Sequence, residues 1–174
     1  AYFNGQGINT ASDKNNNKDI AARIVTHPFE FIDLGISYTN GHDTWTTPAK
    51  NQDHIRIGGD ISFNYKRFSL RGEYIEAQEG TYIVNGQTED LIKSGWYAQA
   101  GYFALPKKLQ FVFKYDTYDP TKNNPKQDIT SFFTYGANYF VNDYVRLQIN
   151  YKHKNEQAFS INKDEIVAQL QLKF

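Results

Sequence analysis

Charged side chains recur at every second position within several runs of apolar residues. The cationic members of this set are Arg23, Arg56, Arg71, Lys114, Arg146, Lys152, Lys154 and Lys173, and the acidic members are Asp33, Asp60, Glu73 and Asp116. Rings of Arg or Lys side chains along a pore favour the passage of anions, whereas rings of Asp or Glu favour cations. Arginine can also hold two phosphate oxygens at once with its planar fork. The excess of cations predicts a mildly anion-selective pore wall, with Arg56, Arg71, Arg146 and Lys152 as the best candidates.

The same charges can instead neutralise one another. Glu73 follows Arg71 by two positions, and Asp116 follows Lys114 in the same way, so each pair lies on one side of an extended chain. A water-filled wall also carries polar residues whatever it conducts. For each charged residue, an ion pair within the wall is therefore the alternative interpretation.

No residue pattern indicates catalysis, a metal or a cofactor. The chain has no cysteine, which excludes thiolate ligands and thiol nucleophiles. His27, His42, His54 and His153 are scattered, without the spacing of a metal site. Serine and aspartate occur too, but no nucleophile motif positions them. With 19 basic and 19 acidic residues, the chain also lacks the charge of a nucleic-acid-binding protein. We expect no enzymatic activity, no metal, no cofactor and no nucleic acid partner.

The elements that must position the charged residues are strands with one apolar and one polar side. The clearest is the C-terminal stretch Asp164–Phe174, one side of which carries Ile166, Ala168, Leu170, Leu172 and Phe174. A period of two is typical of an amphipathic strand. The same alternation predicts roughly nine full strands plus an N-terminal strand stub at Ala1–Gly5, forming a single barrel segment over residues 1–174.

The predicted connections are alternately short and long. The short turns are Pro28–Glu30, Lys66–Arg67, Leu105–Lys107 and Asn142–Asp143. The long polar loops are Gln6–Lys18, Asn40–His54, Gln78–Asp90, Asp119–Gln127 and Asn155–Lys163, with a small hairpin arm at Tyr82–Gly86. Bacterial outer-membrane barrels have short periplasmic turns and long extracellular loops. The pattern predicts an all-β fold, a transmembrane antiparallel up-and-down β-barrel.

A mean hydropathy of −0.66 is compatible with this fold, because only half of each barrel strand is apolar. No run of about 18 apolar residues predicts a membrane-spanning helix. A soluble β-sandwich is the alternative fold, but it explains neither the alternating loop lengths nor the apolar C-terminal strand.

Aromatic residues are frequent, at 16% of the chain. Those on the apolar sides are predicted to form belts at the lipid interfaces, and they are Tyr38, Tyr65, Trp96, Tyr102, Tyr139, Tyr151 and Phe174. Stacking against sugars within the pore is the alternative role for aromatic residues, best suited to Tyr97, Tyr118 and Trp45.

Three segments together resemble the C-terminal part of the phosphate-selective porin O/P family. They are KDIAARIVTHPFEFIDLGISYTNG, SGWYAQAGYF and YGANYFVNDYVRLQINYKH, followed by a closing strand that ends in Phe. The resemblance implies an outer-membrane porin of Gram-negative bacteria, a barrel of about sixteen strands, usually a homotrimer, that passes small anions. It also implies that this chain forms the C-terminal half of such a barrel. A complete small barrel of about ten strands is the alternative.

The resemblance does not identify the solute, because the family's anion selectivity depends largely on Arg and Lys residues contributed by the earlier half of the barrel. The expected partners are outer-membrane lipid, small anionic solutes, two further copies of the chain, and the barrel assembly machinery, which would recognise the strand ending in Phe174. The alternatives to a diffusion channel are an accessory barrel within a larger outer-membrane complex and a small barrel enzyme.

Overall fold

The computed structural model describes residues 1–3, 18–46, 49–84, 87–123, 129–156 and 164–174, and these form one antiparallel sheet. Its strands are β1 (Tyr2–Phe3), β2 (Asp19–Phe29), β3 (Ile32–Thr46), β4 (Ala49–Tyr65), β5 (Phe68–Val84), β6 (Gln87–Leu105), β7 (Leu109–Asp119), β8 (Thr130–Phe140), β9 (Val145–Glu156) and β10 (Glu165–Leu172). The 10 strands follow one another in the sheet in chain order, so each pairs with its sequence neighbour. This confirms the predicted all-β, up-and-down antiparallel architecture, and the sheet is open between β1 and β10 in the described part of the chain.

The register joins the apolar sides of the strands into one continuous face, which we call the apolar face. Ile24 lies opposite Ile36, and Leu34 lies opposite Ile61. The same face continues to the far edge of the sheet, where Leu147 lies opposite Leu170. Directly opposed residues in an antiparallel pair point to the same side of the sheet. The alternation in the sequence is therefore preserved across all the strands.

No hydrophobic side chain is buried among the residues that the structure describes. Ile24 remains 64% exposed and Ile36 61% exposed. A continuous apolar surface of this extent marks a contact with a membrane or with another protein. In the same described residues, no helix is long and apolar enough to cross a membrane.

The short connections are tight turns, close to where the sequence predicts them. They occupy Glu30–Phe31, Lys66–Arg67, Pro106–Lys108 and Val141–Tyr144. Lys66 and Lys107 have left-handed backbone conformations, with φ of 55° and 59°. Non-glycine residues rarely adopt this conformation, but a two- or three-residue hairpin turn requires it.

Two predicted long loops are instead largely strand, so those predictions are wrong. The segment Asn40–His54 is covered by β3, which reaches Thr46, and by β4, which begins at Ala49. The segment Gln78–Asp90 is covered by β5 and β6, and its predicted hairpin arm is present as their outermost pairs. The physical reason is that backbone pairing continues without the apolar alternation, which is needed only where one face contacts an apolar medium. The predicted loops over 6–17 and 157–163 lie outside the described residues.

Candidate functional site

The side of the sheet opposite the apolar face, called the polar face here, carries the charged residues that the sequence singled out. The register of the strands puts the following residues on this polar face: Arg23, Asp33, Arg56, Asp60, Arg71, Glu73, Lys114, Asp116, Arg146 and Lys152. Lys154 lies on the same side, and Lys173 follows the end of β10. The alternation of each strand is sufficient to explain this placement. Contact of these residues with a solute stays a prediction.

Most of the charges on the polar face are joined in ion pairs. Arg23 Nη2 lies 2.7 Å from Asp60 Oδ2, and Lys114 Nζ lies 3.3 Å from Asp116 Oδ2. Lys152 Nζ lies 3.7 Å from an oxygen of Glu165. Exposed pairs of this kind contribute about 0–1 kcal/mol to stability, and they leave little net charge to attract a solute. Ion pairs within the wall, which are the alternative interpretation, are present at these residues.

Other pairs join residues that the sequence analysis missed. The Glu79 carboxylate accepts a hydrogen bond from Arg56, and its Oε2 also lies 3.4 Å from Lys93 Nζ. Glu79 falls within the predicted loop Gln78–Asp90, although it continues the polar side of β5 two positions at a time from Glu73. Extending the period of two past the last apolar residue would have found it. Asp33 Oδ1 is also paired, 2.6 Å from His27 Nδ1.

Arg71 and Arg146 have no carboxylate within ion-pair distance in the described part of the chain. Both line a concavity of about 620 Å³ on the polar face, which we call the basin. Its polar lining also includes Asn64, Lys66, Arg67, Ser69, Gln99, Gln110, Asn138, Gln148 and Asn150. No carboxylate is among the residues that line the basin. Curvature of the sheet brings together cations from β5 and β9, which are far apart in the sequence.

The basin holds Arg146 by neutral contacts. Arg146 Nη2 donates to Gln171 Oε1 at 2.6 Å, and its guanidinium lies 5.9 Å from the centre of the Phe140 ring. Nearby, Asn138 Nδ2 donates to Gln110 Oε1 at 3.1 Å. These contacts position the side chains without cancelling the charge of Arg146.

The predicted interface aromatics lie on the apolar face. Phe174 is fully exposed, and the others are each 39–48% exposed, namely Tyr38, Tyr65, Trp96, Tyr102, Tyr139 and Tyr151. One group lies beside the short turns, as in the ring contact between Phe68 and Tyr102 at 4.8 Å. A second group lies further along the strands, as in the contact between Trp96 and Tyr115 at 5.2 Å. Two bands of exposed rings are the arrangement expected at two lipid interfaces.

One hydrogen-bonded cluster, formed by Lys122, Glu76 and Tyr74, was not predicted. Lys122 Nζ donates to Glu76 and to the Tyr74 hydroxyl, the latter at 3.0 Å. These two hydrogen bonds raise the pKa of the Lys122 ammonium above its usual range. The Lys122 backbone N–H also donates to Ile92 O at 2.8 Å. We call this set of contacts the clasp, because it holds the segment after β7 across β6 onto β5.

A second such cluster surrounds Asp164, which directly precedes β10. The Asp164 carboxylate accepts a hydrogen bond from the Tyr151 hydroxyl at 2.6 Å, and its Oδ1 lies 2.7 Å from His153 Nδ1. Hydrogen bonds from Tyr151 and then His153 lower the pKa of the Asp164 carboxyl. No three His, Asp or Glu side chains are grouped as metal ligands among the described residues, and His42 lies outside those with described side chains.

The family described as phosphate-selective porin O and P matches over residues 9–174. No curated protein matches the chain, and no solved structure matches it.

Proposed function

We propose that the sheet forms part of the wall of an outer-membrane pore, because the chain belongs to the phosphate-selective porin O and P family. Arg71 and Arg146 attract small anions to this wall. The apolar face would contact lipid and the polar face would line the aqueous path. Membership of the family is the reason for expecting a channel rather than an enzyme.

One observation carries the assignment of the anion site, namely that the basin contains Arg71 and Arg146 but no carboxylate. A unit charge about 8 Å from a small anion in water contributes about 0.5 kcal/mol of attraction. That energy corresponds to about a twofold higher local concentration of anion for each arginine. The paired cations Arg23, Lys114 and Lys152 would contribute less, because their neighbouring carboxylates repel the same anion.

The amides around the basin suit a transient anion site. Gln99, Gln110 and Gln148 can each donate N–H groups that replace part of the hydration of an anion. A channel must bind its solute tightly enough to admit it and weakly enough to release it. Arg71 and Arg146 among neutral amides, in an open concavity that Lys66 and Arg67 of the turn also line, satisfy both conditions better than a fully enclosed cationic pocket would.

The assembly follows from the same proposal. We place the protein as a homotrimer in the outer membrane of a Gram-negative bacterium, inserted by the barrel assembly machinery through recognition of β10 and Phe174. Crosslinking in purified outer membranes, followed by mass analysis, tests the trimer. A protein that crosslinks only to unrelated partners would contradict the trimer and favour an accessory barrel.

The anion site is tested by the reversal potential of the reconstituted porin in a KCl gradient at low salt. Replacing both Arg71 and Arg146 by Gln should lower the ratio of anion to cation permeability roughly 16-fold, because each arginine attracts the anion about twofold and repels the cation by the same factor. The matched control replaces both by Lys, which keeps the charge and should retain most of the selectivity. Wild-type protein that carries no current, or a Gln variant with unchanged selectivity, would refute the proposal.

A further inference from the structure

A second concavity lies on the polar face beyond the basin, toward the long connections. It has a volume of about 380 Å³. Its floor is an apolar surface formed by Ile75, Ala77, Gly95, Tyr97 and Tyr118, which we call the shelf. The register places Ile75, Gly95 and Tyr118 side by side on three adjacent strands, β5, β6 and β7. The shelf is thus a continuous patch within a polar wall.

Gly95 allows the ring of Tyr118 to lie close to the backbone of β6. A Cβ atom at this position would be 3.2 Å from the backbone oxygen of Thr117 and 3.7 Å from Cδ2 of Tyr118. Any side chain beyond Cβ would therefore compete with the ring for the same space. Tyr118 remains 48% exposed, so part of its ring is available to a solute.

The charges around the shelf cancel, in contrast to those of the basin. Lys114 pairs with Asp116, and Glu79 pairs with Lys93 and Arg56. The lining itself holds Lys93 and Lys114 against Glu73, Glu79 and Asp116, and Arg56, which lies outside the lining, offsets part of the remaining negative charge through Glu79. A small anion gains little here, whereas a neutral solute meets no unfavourable field.

The chemistry of the shelf matches a neutral sugar. An exposed aromatic ring and aliphatic side chains contact the C–H face of a pyranose, while hydroxyl groups need both donors and acceptors at the edge of the ring. Lysine ammonium groups supply donors and carboxylates supply acceptors, on both sides of the shelf. Lys114 Nζ already lies 4.9 Å from the centre of the Tyr97 ring, so Tyr118 is the more open of the two tyrosines.

We propose that the shelf is a binding subsite for a neutral pyranose, with the ring of Tyr118 as its stacking surface. Tyr97 and Tyr118 are two of the residues that the sequence indicated for sugar stacking, and the structure brings them onto adjacent strands. The location of the subsite in an aqueous path rests on the proposed function. Its binding chemistry does not.

The test measures maltotriose binding to the purified porin in detergent by titration calorimetry. Tyr118→Leu should weaken binding roughly tenfold, because stacking on an aromatic ring is lost. Tyr118→Phe keeps the ring and should bind within about threefold of wild type. Tyr135→Leu, an equally exposed tyrosine replaced on the apolar face, is the matched control and should bind like wild type.

The two proposals fail separately in this design. Absence of maltotriose binding to wild type, or equal binding by wild type and the Tyr118→Leu variant, would overturn the subsite while leaving anion selectivity intact. An equal loss in the Tyr135→Leu variant would also overturn it. Retained sugar binding by a protein that carries no current would overturn the channel and support the subsite.

Discussion

Replacing Ile149 by arginine should destabilise the protein far more than the same replacement at the adjacent Gln148. Ile149 lies on the apolar face, is 53% exposed, and has alanines opposite it on both neighbouring strands. Gln148 lies on the polar face, opposite Asn138 and Gln169. If the apolar face contacts lipid, only the arginine at position 149 is forced into hydrocarbon.

The structure sets the expected size of this effect. Ile149 is four residues into β9, so it lies about 13 Å along the strand from its start. At a strand tilt of about 45°, that distance corresponds to a depth of about 9 Å. Snorkelling recovers only part of this depth. Arginine costs about 2–4 kcal/mol at the bilayer midplane and about 0–1 kcal/mol near the interfaces, so we expect about 2 kcal/mol at position 149.

Reversible unfolding of the porin in lipid vesicles, followed by tryptophan fluorescence in a denaturant series, measures this cost. The Ile149→Arg variant should lose about 2 kcal/mol of unfolding free energy, and the Gln148→Arg variant should stay within about 0.5 kcal/mol of wild type. Equal losses in the two variants would refute the assignment of the faces. A larger loss at Gln148 would reverse it.

Three further outcomes are expected. Hydrogen bonds lower the pKa of Asp164 from its usual 3.8 in the folded protein. The ionised carboxylate therefore adds stability above about pH 3.8, and this stability is lost as the pH falls through the folded pKa. The difference in unfolding midpoint between wild type and Asp164→Asn should persist at pH 7 and disappear in that acid range. Lys122→Met removes the contact with Glu76 and loosens the segment in which Asn123 Oδ1 accepts a hydrogen bond from the Ile92 amide at 3.1 Å. The Ile92 amide should therefore exchange its hydrogen several-fold faster by mass spectrometry, and unchanged exchange would contradict the clasp. Gly136→Leu should destabilise the basin by about 1–3 kcal/mol in the same denaturant series, because even a Cβ at Gly136 would lie 2.5 Å from an Asn150 side-chain oxygen; a stable variant would show that Asn150 can move aside.

The neutralisation of charges could be predicted only in part. Lys114 and Asp116, two positions apart, form the predicted ion pair. Arg71 and Glu73 have the same spacing but form no ion pair in the described chain. Side chains two positions apart on a strand leave the backbone about 6.6 Å from each other, so a contact depends on where each side chain is drawn by its other neighbours. Those neighbours lie on adjacent strands, and their identity depends on the register.

The sequence by itself determined which side of a strand a residue occupies wherever apolar residues alternate, and approximately where the short turns fall. A period of two is a local property of an extended chain, and a hairpin turn is set by a few adjacent residues. Only the tertiary structure decided that β3 to β6 continue beyond their apolar residues, that Lys122 holds the segment after β7, and that Arg71 and Arg146 share a basin without a carboxylate. Each of these depends on pairing and curvature across several strands, which bring together residues that no local pattern relates.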